Sequence, residues 1–228
     1  MEKLISALFL PKCSVCGTRA LGVCAVCLGK ARPCNKAVCI KCGLPSIEGK
    51  THVTCYQPQL PLNLFCAFLY EGVVQDVVVA SKFKQAEFYS LKVLSKRASR
   101  LCLESGYIYA DHVVMPVPLS NAVMKERGFN QSELIARAVS KEFGLKLNTS
   151  MLCRSDSAVD SVEKLKTERS QSFDTAFGVK KGVDLTGVSV LLVDDIFVTG
   201  GTFLVTAKAL YLAGAEMVNC FALSKKVL

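Results

Sequence analysis

The chain has 228 residues, 51% of them hydrophobic and 21% charged, and its 28 Lys and Arg against 19 Asp and Glu give a net charge of +9. That length and apolar content suit one moderate domain plus a small one, and the absence of repeats or biased tracts excludes a solenoid or a low-complexity chain. The positive balance favours polyanion attraction without demanding nucleic acid.

Met1–Leu10 is apolar, but Glu2 and Lys3 interrupt it and Pro11 ends it short of a secretory leader or a membrane span. The sequence therefore predicts a cytoplasmic protein with no membrane span. Leu4, Ile5, Leu8 and Phe9 fall at helical spacing, which predicts a helix docked on the main body.

Eight of the 12 cysteines follow within the first 60 residues. Without a leader they read as metal ligands rather than disulfides. Cys13-x-x-Cys16 precedes Cys24-x-x-Cys27, and Cys39-x-x-Cys42 precedes His52-x-x-Cys55, giving two four-ligand sets; Cys34 is left over. Two-residue spacers let a tight turn place two thiolates on one tetrahedral ion, so one or two structural zinc ions are expected, with no vacant position for catalysis. Spacing favours the sequential pairing but leaves interleaved pairings open. A redox reading of Cys-x-x-Cys requires a βαβ context that this segment lacks. Lys12, Arg19, Lys30, Arg32, Lys36, Lys41 and Lys50 frame these turns, and they suit either phosphate contact or solubility. Ionised ligands on two zinc ions lower the net charge to about +6.

After Gln57-Pro-Gln-Leu-Pro-Leu the chain alternates strand-like and helix-like stretches, which predicts a parallel sheet with crossover helices. The boundary falls near residue 58, with a cysteine module over 1–58 and an α/β domain over 59–228. Strands are expected at Leu64–Tyr70, His112–Val117, Val188–Val193 and Glu216–Leu223. Helices are expected at Val73–Phe83, Glu87–Glu104, Gln131–Phe143 and Phe203–Ala213, with Asn130 as N-cap and Glu133 at N3 of the third. Cys66, Cys102, Cys153 and Cys220 read as core residues.

Two stretches carry chemistry. In Val190-Leu-Leu-Val-Asp194-Asp195-Ile-Phe-Val-Thr199-Gly200-Gly201-Thr202, a strand buried on both faces runs into two carboxylates and a small-residue turn. Such a turn lets backbone N–H groups approach an anion at the start of the next helix, and paired acids beside it suit sugar hydroxyls. The pattern resembles the phosphoribosyl pyrophosphate (PRPP) motif of type I phosphoribosyltransferases. The resemblance implies that Asp194 and Asp195 hold the ribose hydroxyls and that Thr199, Gly200, Gly201 and Thr202 cradle the 5-phosphate. It implies Mg²⁺ with the diphosphate, held mainly by substrate oxygens and waters. Purine-salvage members carry an acid where this chain has Val198, and valine cannot accept a proton from an incoming base.

The second stretch is Met115-Pro-Val-Pro-Leu-Ser120 followed by Lys125-Glu-Arg127-Gly128-Phe129-Asn130-Gln131. Together with the PRPP motif and the cysteine pairs, in that order over nearly the whole chain, it resembles the ComF family, whose competence members act in bacterial DNA uptake and whose GntX-type members share the layout. The resemblance implies diphosphate contacts from Lys125 and Arg127, with Arg127 stabilising the leaving group in any transfer, and a lysine contribution from Lys82 or Lys84. It implies single-stranded DNA as a partner, with Tyr56, Phe65 and Phe83 as stacking candidates, and helicase or recombination factors of the competence machinery as protein partners. A mobile hood is implied over Arg154–Ser172, with Lys164, Lys166, Arg169 and Gln171, although Ser161 and Ser172 depart from the family's Gln and Asn. The residues do not name a nucleophile. A metabolic phosphoribosyltransferase with an unidentified acceptor and a zinc-module adaptor for proteins are the alternatives.

Overall fold

The computed structural model describes residues 12–82, 88–155 and 176–227. The expected N-terminal helix, Phe83, Lys84 and most of the hood lie outside them. Within them, five strands form one parallel sheet: β1 (Leu64–Leu69), β2 (Val113–Pro116), β3 (Lys146–Leu147), β6 (Ser189–Phe197) and β7 (Met217–Lys225), in the order β1-β7-β6-β2-β3. β4 (Leu152–Arg154) and β5 (Phe177–Val179) form a separate antiparallel pair.

The hydrophobic runs of β6 and β7 are legible once both faces are seen to be covered. Alternate residues feed two cores. Leu191, Val193, Phe221 and Leu223 join one face, while Val190, Leu192, Cys220 and Ala222 join the other. Helices α2 (Gly72–Ser81), α3 (Phe88–Glu104) and α5 (Gln131–Phe143) cover the first face through Val74, Leu91, Leu94 and Ile135. Helix α6 (Gly201–Leu212) covers the second through Phe203, Ala207 and Leu210.

The cysteine-rich segment straddles the sheet edge. It holds a short helix, α1 (Ala25–Leu28), and 3-10 turns at Ile47–Gly49 and Val53–Cys55. Its first part, with Cys13, Val23 and Cys27, packs on the three-helix face; its second, with Val38 and Ile40, packs on the α6 face. Between them Pro33 bridges Phe68 in antiparallel fashion, Cys34 N–H donates to Ala67 O at 2.9 Å and Leu69 N–H donates to Arg32 O at 2.9 Å. The segment thereby covers the open edge of β1, whose backbone groups would otherwise invite pairing with another chain.

Several expectations shift. β6 does not stop at Val193 but runs through both acids to Phe197, because β7 continues beside it and pairs Ile196 with Ser224 and Phe197 with Lys225. Helix α4 (Asn121–Arg127) adds an element to those expected from the sequence. Ser120 caps it by accepting from Val123 N–H, and Gly128 ends it at φ 75°, yet it buries no residue and so leaves no hydrophobic periodicity to read. Asn130 caps α5 as expected, but Glu133 pairs with Arg137 at 2.6 Å, one turn on. Cys66, Cys102 and Cys220 are buried, whereas Cys153 is half-buried with its thiol on Gly178 O at 3.4 Å. Phe65 is also core, edge-on to Tyr107 at 4.9 Å, and is therefore removed from the stacking candidates; Tyr56 remains 53% exposed. No helix of the described residues is long and apolar enough to cross a membrane.

Candidate functional site

The C-terminal end of β6 opens into a cleft of about 180 Å³, lined by Lys82, Arg127, Ser132, Arg154, Asp194, Asp195 and Thr202 together with Val117, Pro118, Leu119, Asn130 and Gln131. The sheet supplies the acids, the end of α2 supplies Lys82, α4 supplies Arg127, and the first turn of α6 supplies Thr202. This is the carboxyl edge of central strands, where open α/β sheets bind ligands.

Asp194 is held from two sides. Ser132 donates its hydroxyl to Asp194 Oδ1 at 2.7 Å, and Asp195 N–H donates to the same oxygen at 3.0 Å. Asp195 faces Lys82 Nζ at 3.9 Å, and Ser224 donates to its backbone carbonyl at 3.0 Å. Burial, reinforced by the neighbouring Asp195 charge, raises Asp194 to about 7 despite the Ser132 bond. Asp195 is also raised by burial, against the lowering effect of Lys82 and Arg127. Two carboxylates that resist full ionisation side by side gain from a nearby cation and, once ionised, accept hydroxyl donors. The three cations around them suit a polyanion.

The Arg127–Gln131 stretch divides its work. Arg127 lines the cleft, while Phe129 packs edge-on against Phe88 at 4.3 Å. Asn130 Nδ2 donates to Val117 O at 2.8 Å and its Oδ1 accepts from Ser132 N–H at 3.0 Å. Gln131 Nε2 donates to Val78 O at 2.9 Å and to Ser81 Oγ at 2.5 Å. Asn130 and Gln131 thus bind α5 to the residue that follows β2 and to α2, fixing Ser132 beneath Asp194. Lys125 lies exposed on α4, outside the cleft lining.

In the turn, Gly200 takes φ 82° and is buried, while Thr199 and Gly201 are exposed. A Cβ on Gly200 would lie 2.7 Å from Ile40 O and 3.1 Å from Phe197 Cε2. Ile40 belongs to the Cys39–Cys42 turn and is fully buried, so the second cysteine cluster forms the floor of the Thr199–Thr202 turn.

Both cysteine clusters assemble in the sequential pairing. The ligand atoms of Cys13, Cys16, Cys24 and Cys27, and those of Cys39, Cys42, His52 and Cys55, all lie within 4.8 Å of one another in each set. Cys16 Sγ and Cys24 Sγ are 3.7 Å apart and Cys42 Sγ lies 3.4 Å from His52 Nδ1. Tetrahedral Zn–S bonds of about 2.3 Å and Zn–N bonds of about 2.0–2.1 Å require edges of roughly 3.5–3.8 Å, so the clusters could hold metal ions such as zinc. His52 Nε2 donates to Pro45 O at 3.0 Å, which leaves Nδ1 free to ligate. In the first cluster hydrogen bonds from Thr18 draw Cys16 down to about 6, while Cys27, donating to Cys16, is pushed up to about 12. Four thiols this close do not all ionise until a cation sits among them. Cys34 stands outside both clusters.

Sequence reasoning missed Ser132 in the cleft and named Arg154 only as the first residue of the hood. Ser132 follows Asn130-Gln131 at the start of an amphipathic helix, where a serine reads as a cap. Arg154 lies at the end of a three-residue strand, its guanidinium 5.1 Å above the Phe177 ring, with no motif to mark it.

No family model matches the chain. The Bacillus subtilis protein called competence protein ComFC is 26% identical over 217 residues, covering 88% of this chain and 83% of that protein. The Streptococcus pneumoniae competence protein ComFC is 32% identical over 156 residues, covering 68% and 65%. The Escherichia coli protein called DNA utilization protein YhgH is 26% identical over 216 residues, 90% of each. A solved Trypanosoma cruzi hypoxanthine phosphoribosyltransferase aligns over 60% of this chain and 71% of its own at 15% identity and a TM-score of 0.35.

Proposed function

Starting from its homology to the ComFC and YhgH proteins, we propose that this chain is a zinc-stabilised phosphoribosyltransferase-type protein that binds PRPP with Mg²⁺ and handles single-stranded DNA during its uptake or use. The observation that carries the reading is the convergence of Asp194, Asp195, Ser132, Lys82, Arg127 and Arg154 in one cleft beside the Thr199–Thr202 turn. The acids accept the ribose hydroxyls, and the turn with the α6 N-terminus takes the 5-phosphate. Arg127 and Lys82 face the diphosphate. Mg²⁺ comes with that diphosphate and neutralises it, which asks few ligands of the protein.

Residues 1–58 are assigned to the metal module and 59–228 to the sugar-binding body. Zinc in the clusters would be structural, since four protein ligands leave no open position. Val198, 39% exposed beside the turn, offers no proton acceptor for a purine base, which counts against purine salvage and leaves other acceptors open. Proteins that unwind or recombine the incoming strand are the partners this role requires.

The test is fluorescence anisotropy of a labelled oligothymidylate at rising salt, with and without PRPP and Mg²⁺. Micromolar-range binding that weakens steeply with salt and changes when PRPP is added is the expected outcome. No binding by the zinc-loaded protein at low salt would contradict the DNA role.

A further inference from the structure

Helices α3 and α5 pack side by side and leave an outward groove of about 510 Å³ between them. We propose that this groove is the track that holds single-stranded DNA and leads it to the sugar cleft; the inference rests on the DNA-handling reading above.

The groove has the two features that such a strand requires. Its walls carry Lys92, Lys96, Arg137 and Lys141, four residues apart along each helix, so that cations recur about once per helical turn of roughly 5.4 Å. Lys96 and Arg137 are engaged by Glu142 at 3.7 Å and Glu133 at 2.6 Å; Glu142 also lines the groove, where Lys96 and Arg100, the latter at 3.2 Å, offset its charge. Lys92 and Lys141 are exposed and form no ion pair among the described residues. The floor, formed by Leu134 and Ala138, is apolar and half-buried. At one end stands Tyr89, 37% exposed, offering a ring on which a base can stack. An acidic polypeptide would satisfy the cations but would gain little from that aromatic edge.

The groove shares structural elements with the cleft. Phe88 at its head packs against Phe129, in the same stretch as the cleft residues Arg127 and Asn130. Helix α5 belongs to both sites. Its Ser132 holds Asp194, and Arg137 and Lys141 follow about 8 and 14 Å along the axis. The metal module fixes the upper wall. Gly22 sits so close to the Tyr89 backbone that a Cβ there would lie 2.8 Å from Tyr89 C, and Ser14 Oγ meets Ser90 Oγ at 2.8 Å.

The test compares the zinc-loaded native chain with Lys92→Glu/Lys141→Glu and with Tyr89→Ala, using labelled oligothymidylate, a polyglutamate peptide as competing probe, and a separate PRPP titration with Mg²⁺. All three positions are at the surface, and the milder Lys92→Gln/Lys141→Gln pair guards against misfolding. The double reversal is expected to weaken DNA binding at least tenfold and to flatten the salt dependence by about 1.4 in the log–log slope, roughly 0.7 for each lost phosphate contact. Tyr89→Ala is expected to cost roughly 5- to 150-fold. PRPP affinity should not change in any of them. Undiminished DNA affinity in the double reversal overturns the proposal, as does polyglutamate binding as tightly as DNA with Tyr89→Ala silent, which would make the groove a protein-docking face. Loss of DNA binding in the variants of a protein that does not take PRPP would refute the sugar reading and leave the DNA track standing.

Discussion

Gly200→Ala isolates the joint between the anion turn and the second cysteine cluster. At φ 82° an alanine enters the left-handed region, which costs about 1–2 kcal/mol. The added methyl would also stand 2.7 Å from Ile40 O, a buried backbone atom in the Cys39–Cys42 turn that has nowhere to retreat, and 3.1 Å from Phe197. Forcing extra volume into such a packed place costs about 1–3 kcal/mol more. The sum, roughly 2–5 kcal/mol, corresponds to a melting temperature lower by on the order of 10 °C for a chain of this size. Gly201→Ala is the control. Its nearest neighbour is Thr199 Oγ1 at 3.8 Å and it lies in the first turn of α6, so stability should hold or rise by about 0.5 kcal/mol. PRPP affinity should nevertheless fall there, because a side chain then stands between the phosphate and the backbone N–H groups. Thermal melts and PRPP titrations of the two variants decide the matter. If Gly200→Ala melts with the native protein and binds PRPP as well, the turn does not rest on Ile40 and the reasoning is refuted.

Further outcomes follow from the same geometry. Asp194, raised to about 7, must be ionised to accept ribose hydroxyls, so PRPP affinity should fall as pH drops through about 7 and level off above it, readable from titrations between pH 5.5 and 8.5. Stability of the unliganded chain should run the other way: with a folded value above the ordinary 3.8, the Asp194 contribution is full below about 4 and is lost as pH rises through about 7. Ser132→Ala removes the bond that lowers Asp194, so the binding profile should move to higher pH and affinity at pH 7 should fall about tenfold, a loss of about 1.5 kcal/mol. Metal analysis should return two zinc ions per chain, with Cys16→Ser and Cys42→Ser each losing one and Cys34→Ser losing none. Stripping the second site should also weaken PRPP binding, through the Ile40 support of the turn.

Much of this was legible because the chemistry is written in local spacing. The four Cys-x-x-Cys or His-x-x-Cys pairs are short enough to assemble on a turn, and the Asp194–Thr202 run is contiguous. The parallel sheet announced itself through apolar runs that need cover on both faces. What the sequence concealed depends on distant contacts. The strand extends past the acids because β7 runs beside it, a pairing that no local propensity encodes. Ser132 and Asp194 lie 62 positions apart. The burial of Phe65 and the covering of the β1 edge by Arg32–Cys34 follow from where the cysteine module docks, which spacing within the module does not specify.

The central claim is the sugar site, and calorimetric titration of PRPP with Mg²⁺ into the native chain and into Asp194→Asn/Asp195→Asn tests it most directly. Two charge-assisted hydrogen-bond acceptors are lost in the double variant, so native binding that drops by tenfold or more, with the fold and zinc content retained, is the expected result. Equal affinity in both proteins, or none in a folded, zinc-loaded native chain, would contradict it.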